Sequence, residues 1–276
     1  MMTLAKRQFS SVREMVANLV QNRHLTWEMA KRDITDRYAG QVAGSLWAIG
    51  HPLVMMGIYI FIFAFVFKVR VGGTRELPLD YTAYLLSGLI PWMALQEAMT
   101  KGATSITGNA SLVKQVVFPV EILPVKGILA SMITQLIATA VLLIYTLVSH
   151  GSLFWSHLLL PVLFLLQFLG MTGICLLLAS IGTYLRDIKD VVQVTCVAGM
   201  YVMPIFYLPS SVPAPLRPLL YLNPFSYLAW CYQDVCYYGR FEHPWAWPVL
   251  AILSLSTFLI GSRVFRTLKQ NFGSVL

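Results

Sequence analysis

Residues 127–185 contain no Asp, Glu, Lys or Arg, an uncharged stretch of 59 residues. One membrane crossing takes about 20 apolar residues, so the stretch is long enough for two. Ser149, His150, Gly151 and Ser152 interrupt it near the middle with small and polar side chains. The chain therefore folds at least one tight hairpin in a bilayer, and its function is to be sought there. The composition agrees: 57% of residues are hydrophobic and 12% are charged, against about 25% charged in ordinary soluble domains.

Four further stretches complete the pattern. Spans are expected at 47–67, 81–98, 127–148, 153–185, 191–208 and 245–262. Residues 1–43 are charged throughout and form an N-terminal arm ahead of a six-helix membrane domain at 44–276. They contain no apolar core of a cleavable signal peptide. Six spans place both termini on one side. With the termini in the cytoplasm, 15 of the 20 Lys and Arg residues fall in inner segments and 5 in outer ones. Basic loops stay inside, so this is the favoured orientation. The net charge of +8 is distributed through these loops. It forms no basic stripe with interleaved aromatics, which argues against nucleic-acid binding.

Three segments are expected not to span. In the arm, Trp27, Ala30, Ile34 and Tyr38 recur at helical spacing among charged residues. This predicts an amphipathic helix in the membrane interface, favoured over one packed on a soluble partner. Between spans two and three, Asn109 or Ser111 is a suitable helix N-cap. The short helix that follows carries Leu112, Val113, Val116 and Val117, a face that a partner would bury. Between spans five and six, Asn223-Pro224 divides the uncharged residues 218–233 into halves too short to cross. Two re-entrant half-helices are predicted, because irregular backbone at membrane depth survives only where protein covers it.

Motifs for catalysis are missing from the sequence. It holds no GxxxxGK[ST], HExxH or GxSxG, and its five histidines and four cysteines have no metal-ligand spacing. Ion-coupled carriers place ionisable groups inside their spans. Here only Glu97 and Glu121 approach the apolar runs, both near the inner face. Aromatic residues are abundant instead. Tyr59, Phe63 and Phe67 share one face of span one and are candidates to line a conduit. Ten aromatics lie between Tyr221 and Trp247, more than an interfacial belt requires, and their rings suit the apolar faces of sugars.

Several stretches together carry a family likeness. They are 31–38 with Gly44-Ser45-Leu46-Trp47 and His51-Pro52; Leu86-Ser87-Gly88-Leu89-Ile90-Pro91-Trp92; 109–119 with Glu121; Arg186-Asp187-Ile188-Lys189-Asp190; and Met203-Pro204 with Leu222-Asn223-Pro224. Order and spacing resemble the permease subunit of bacterial ABC-2-type polysaccharide exporters, which move O-antigen, capsule or teichoic acid chains. The resemblance implies an all-α homodimer in the cytoplasmic membrane, bound to two copies of a separate ATPase subunit that carries ATP and magnesium. No cofactor or metal is expected on this chain. The element made by Asn109, Ser111, Leu112, Val113, Lys114, Val116, Val117, Phe118 and Pro119, with Glu121, would be the helix that couples to the ATPase. Arg186 and Asp187 would respond to ATPase closure from the inner end of span five. Asn223, Pro224, Phe225, Tyr227 and Trp230 would gate the exit. The arm would frame a lateral opening for a lipid-linked glycan, and Lys31, Arg32 and Arg37 would meet its pyrophosphate. Two rival readings are an ABC-2 exporter of small molecules, disfavoured by the aromatics and the basic arm, and a membrane-embedded glycan-processing enzyme, for which residues 186–190 lack partners.

Overall fold

The computed structural model of the chain describes residues 15–37, 40, 44–66, 78–115, 119–151 and 153–276. Phe67 and residues 116–118, and the side chains of Arg37 and Phe63, lie outside the described residues. Among the described residues the regular structure is entirely helical. The helices are α1 (Arg23–Arg37), α2 (Trp47–Ile60), α3 (Tyr81–Thr104), α4 (Ala110–Gln115), α5 (Ile122–His150) and α6 (Leu160–Tyr184). They continue with α7 (Ile188–Val202), α8 (Arg217–Leu222), α9 (Ser226–Gln233), α10 (Ala246–Lys269) and α11 (Phe272–Val275). A π-helical turn extends α2 over Phe61–Val66 and another extends α9 over Asp234–Tyr238.

Among the described residues, three segments are long and apolar enough to cross a membrane: Ile122–His150, Trp155–Tyr184 and Ala246–Lys269. The first two are the arms of the uncharged hairpin. Gly151 ends α5 with φ at +72°, a left-handed cap that glycine adopts without strain. Pro161 opens α6, where its missing N–H costs nothing. The other predicted spans are shorter or more polar. The 15 residues of α7 reach about 22 Å, short of a ~30 Å hydrocarbon core. Beyond Val202 the chain turns at Met203-Pro204 and runs on without regular helix to Leu208.

The centre of the bundle is α3, buried on nearly every side from Tyr81 to Leu95. Asp80 caps its start, accepting from the Ala83 N–H at 3.4 Å. Pro91 sits inside the helix and Trp92 beside it is fully buried. Tyrosine hydroxyls stitch the turn after α7 to this helix. Tyr84 Oη lies 3.1 and 3.0 Å from the carbonyls of Pro204 and Tyr207, and Tyr81 donates to Phe206 O at 2.8 Å.

Helices α6 and α10 pack main chain against main chain. A Cβ on Gly173 would strike the Thr257 and Phe258 backbone, and one on Gly261 would strike the Gly173 backbone. Glycine at both positions lets the two main chains touch. Small residues drive packing where lipid offers no hydrophobic incentive to associate.

Ion pairs collect at one end of the bundle. Lys101 on α3 reaches Asp33 on α1 at 2.5 Å and Glu97 at 3.2 Å, and Lys126 on α5 lies 3.7 Å from Asp33. Glu121, which is buried, accepts from Lys269 at 2.6 Å and joins the start of α5 to the end of α10. At the opposite end Asp80 accepts from Tyr145 at 2.5 Å and lies 3.2 Å from His150.

Candidate functional site

A groove of about 610 Å³ lies between α2, α3, α5 and α7. Its walls differ in chemistry. Met55, Met56 and Tyr59 of α2, Met93 of α3 and Met200 of α7 supply thioethers and one ring. Across from them α5 contributes Ser131, Thr134 and Gln135, spaced so that one helical face carries all three. Glu97 and Lys101 stand at its basic end. Thioether chains are unbranched and polarisable, so such a wall adapts to varied shapes. The facing hydroxyls and amides offer hydrogen bonds to a polar solute. Tyr59 is the one predicted conduit aromatic whose side chain is described; its hydroxyl contacts Met200 Sδ at 3.7 Å. Phe61, on the other face of the same turn, is exposed.

Behind the α5 wall lies a buried polar knot. Gln135 and Gln167 exchange amide hydrogen bonds, Nε2 to Oε1 at 2.8 Å and back at 2.9 Å. Tyr232 on α9 donates to Gln167 Oε1 at 2.6 Å and accepts from Gln135 Nε2 at 2.9 Å. The second Gln167 N–H donates to Pro91 O at 3.1 Å. Four helices meet here, and every amide and hydroxyl donor in the knot is used.

At the basic end, α4 turns its apolar residues inward. Leu112 and Val113 pack against a cluster that contains Met15, Ile106, Val120 and Phe272. The expectation that a partner would bury this face therefore changes for these two: the chain covers them itself, while Ser111, Lys114 and Gln115 stay exposed. Asn109 departs from its expected capping role. Its amide donates back to Ser105 O at 2.8 Å, and Ser111 lies inside the helix. Beside α4 a cleft of about 480 Å³ is lined by Thr107, Gly108, Arg186, Lys189 and Leu276, so Arg186 and the α4 segment face one space. Asp187 precedes α7, and Val191 N donates to its carbonyl at 3.2 Å.

On α1 the predicted phosphate-binding cations have partners within their own helix. Lys31 lies 2.8 Å from Glu28 and Arg32 lies 3.1 Å from Asp36. The Lys31 hydrogen bond holds the Glu28 carboxyl below its ordinary pKa. Ala30 is buried and Trp27 is exposed, so the apolar residues of the helix point in more than one direction.

At the opposite end, Asn223 Oδ1 accepts from Phe225 N at 3.0 Å, and this local bond with Pro224 makes the break between α8 and α9. Phe225 meets Trp92 of α3 edge-on at 5.4 Å. Trp230 is buried by other rings: it stacks on His243 at 5.6 Å and meets Tyr227 at 5.6 Å and Trp245 at 4.8 Å. Asp234, also buried, fixes this cluster by accepting from His243 Nδ1 at 2.8 Å and Trp247 Nε1 at 3.1 Å. In this conformation Trp230 presents no face to a passing chain. Sequence reasoning singled out the rings but missed the methionine wall and the glutamine knot. The 131, 134, 135 spacing on α5 was the signal available for its polar face.

Long apolar helices packed around an adaptable groove define a multi-pass membrane protein. The chain belongs to the ABC-2 type transporter family, whose model matches residues 24–235. It is similar to the O-antigen export system permease protein RfbA of Klebsiella pneumoniae, 25% identical over 252 residues, 90% of this chain and 93% of that one. It is equally similar to the protein of the same name from Myxococcus xanthus, 25% identical over 262 residues, 94% of this chain and 97% of that one. The polysialic acid transport protein KpsM of Escherichia coli is 22% identical over 241 residues, 87% of this chain and 91% of that one.

Proposed function

We propose that the chain is the permease subunit of an ATP-driven exporter that moves a lipid-linked polysaccharide across a bacterial cytoplasmic membrane. The observation that carries the reading is the groove, where a polar α5 face opposes methionine and tyrosine. A sugar polymer has apolar ring faces and many hydroxyls, and it must slide, so weak contacts of both kinds serve it. The names of the relatives point to the same cargo class.

In this reading six spans surround the groove and both termini are cytoplasmic. The helices α2, α3 and α7 join the three long apolar segments as spans, and residues 1–43 form the arm. The exposed Gln193 and Thr195 on α7 support a homodimer, because polar side chains at membrane depth face protein or water rather than lipid. Two copies of a separate ATPase, which bind ATP and magnesium, dock on α4 through Ser111, Lys114 and the segment that follows, near Arg186 and Asp187. The α8–α9 pair, with Asn223, Pro224, Phe225, Tyr227 and Trp230, dips into the outer leaflet and closes the exit. The arm lies in the inner interface with Trp27 among headgroups, and Lys31, Arg32 and Arg37 meet the pyrophosphate after exchanging Glu28 and Asp36 for it.

Deletion of the gene tests the reading. The account expects lipid-linked glycan to accumulate on the cytoplasmic side, with surface glycan restored by the wild-type chain. Normal surface glycan in the deletion strain would overturn it.

A further inference from the structure

The groove wall and the half-helix α9 share the Gln135–Gln167–Tyr232 knot, and we infer that this knot is a hydroxyl-operated latch: a sugar hydroxyl in the groove replaces the Tyr232 hydroxyl and releases α9. The inference rests on the export reading above. Gln135 belongs to both places, lining the groove while bonding Tyr232.

The hydrogen-bond inventory decides what can open the knot. If Tyr232 leaves, the two glutamines keep their reciprocal pair, and Gln167 stays anchored to Pro91 O. On the glutamine side two things are lost, an acceptor for one Gln135 N–H and the O–H donor to Gln167 Oε1, while the Tyr232 hydroxyl gives up both bonds and must be met by water or cargo as α9 moves. A single hydroxyl supplies both to the glutamines, since it is donor and acceptor at once. A sugar brings many of them, and an acyl chain brings none. In a dry, apolar surrounding an unpaired amide N–H is costly. The knot therefore holds α9 seated until hydroxylated cargo reaches Gln135 from the groove. Gln135 thereby sets a preference for polyhydroxylated cargo, and Tyr232 positions the exit helix.

The protein carries its own reporters. Cys231 and Cys236 are 0% and 1% exposed on either side of the junction between α9 and its π-turn, while Cys175 and Cys196 are buried on α6 and α7. Cells that make the glycan, and cells with its first assembly step disabled, are pulsed with N-ethylmaleimide, and each cysteine is read by peptide mass spectrometry. In the wild type, Cys231 and Cys236 are expected to label roughly fivefold faster or more when glycan is made, the scale of losing one buried hydrogen bond, with Cys175 unchanged. In Tyr232→Phe, fast labelling is expected in both strains, because the hydroxyl that seats α9 is gone. A knot with a structural role alone would leave the wild-type rates equal in the two strains. Equal wild-type rates in cells whose surface glycan depends on this chain would overturn the latch. Surface glycan that does not depend on this chain would instead overturn the export reading. If Tyr232→Phe fails to accumulate, the wild-type comparison still decides.

Discussion

Asp33 on α1 and Lys101 on α3 form an ion pair of 2.5 Å across 68 positions of sequence. Lys126 and Glu97 complete a four-membered network with them. With Lys126, the pair ties α1 to the bundle beside the Glu97–Lys101 end of the groove.

Loss of one partner should therefore loosen the arm. The network is partly shielded, between an exposed pair worth little and a buried one whose breakage costs several kcal/mol. Asp33→Asn is expected to lower stability by about 1–3 kcal/mol and to speed protease cleavage within α1. Asp33→Glu, which keeps the charge facing Lys101 and Lys126, should lose less. Thermal unfolding and limited proteolysis in nanodiscs measure both.

The contact of α6 with α10 has no room for a side chain at Gly173 or Gly261. Alanine at either position forces two main chains apart, and overpacking of this kind costs about 1–3 kcal/mol or more. Leucine there should prevent accumulation of folded protein. Gly57, around which a Cβ would meet nothing, is the control, and Gly57→Ala should accumulate normally. Size-exclusion profiles in detergent read the difference.

Groove residues and the exposed residue Phe61 of the π-turn after α2 should separate cleanly. Met93→Trp and Met200→Trp fill the groove and are expected to reduce surface glycan at least tenfold with normal accumulation of the chain. Phe61→Leu, at the exposed start of the π-turn that extends α2, should leave export within twofold. Quantitative surface-glycan blots, normalised to membrane protein, check this.

The two faces of α4 should behave differently. Lys114→Glu reverses a charge on the exposed face and is expected to release the ATPase subunit while this chain still folds. Val113→Asp puts a carboxylate into the cluster with Phe272, and is expected to destabilise the chain itself by about 2 kcal/mol or more. Affinity co-purification and thermal unfolding of the same samples separate the two effects.

The long apolar segments were legible because each is encoded locally. The uncharged run and its break at residues 149–152 mark the hairpin that the structure contains, and Asn223-Pro224 marks the break between α8 and α9. Features built from distant positions were not. Met55, Met93 and Met200 lie on three helices, and nothing local says that they share a wall. Gln135, Gln167 and Tyr232 meet only through packing around α3. Val113 reads as a free apolar face because its cover comes from Phe272 and Met15, far away in sequence. The aromatics of residues 221–247 read as a sliding surface by composition. Asp234 instead gathers His243 and Trp247, and the rings bury one another.

The most direct test reconstitutes the chain with the proposed ATPase subunit in proteoliposomes that carry lipid-linked glycan on the ATP-accessible leaflet. A glycosidase sealed in the lumen then reports arrival. The account predicts luminal cleavage that requires ATP, the ATPase and this chain together, and that Met93→Trp suppresses. Cleavage that proceeds without ATP, or with the ATPase but without this chain, would contradict it.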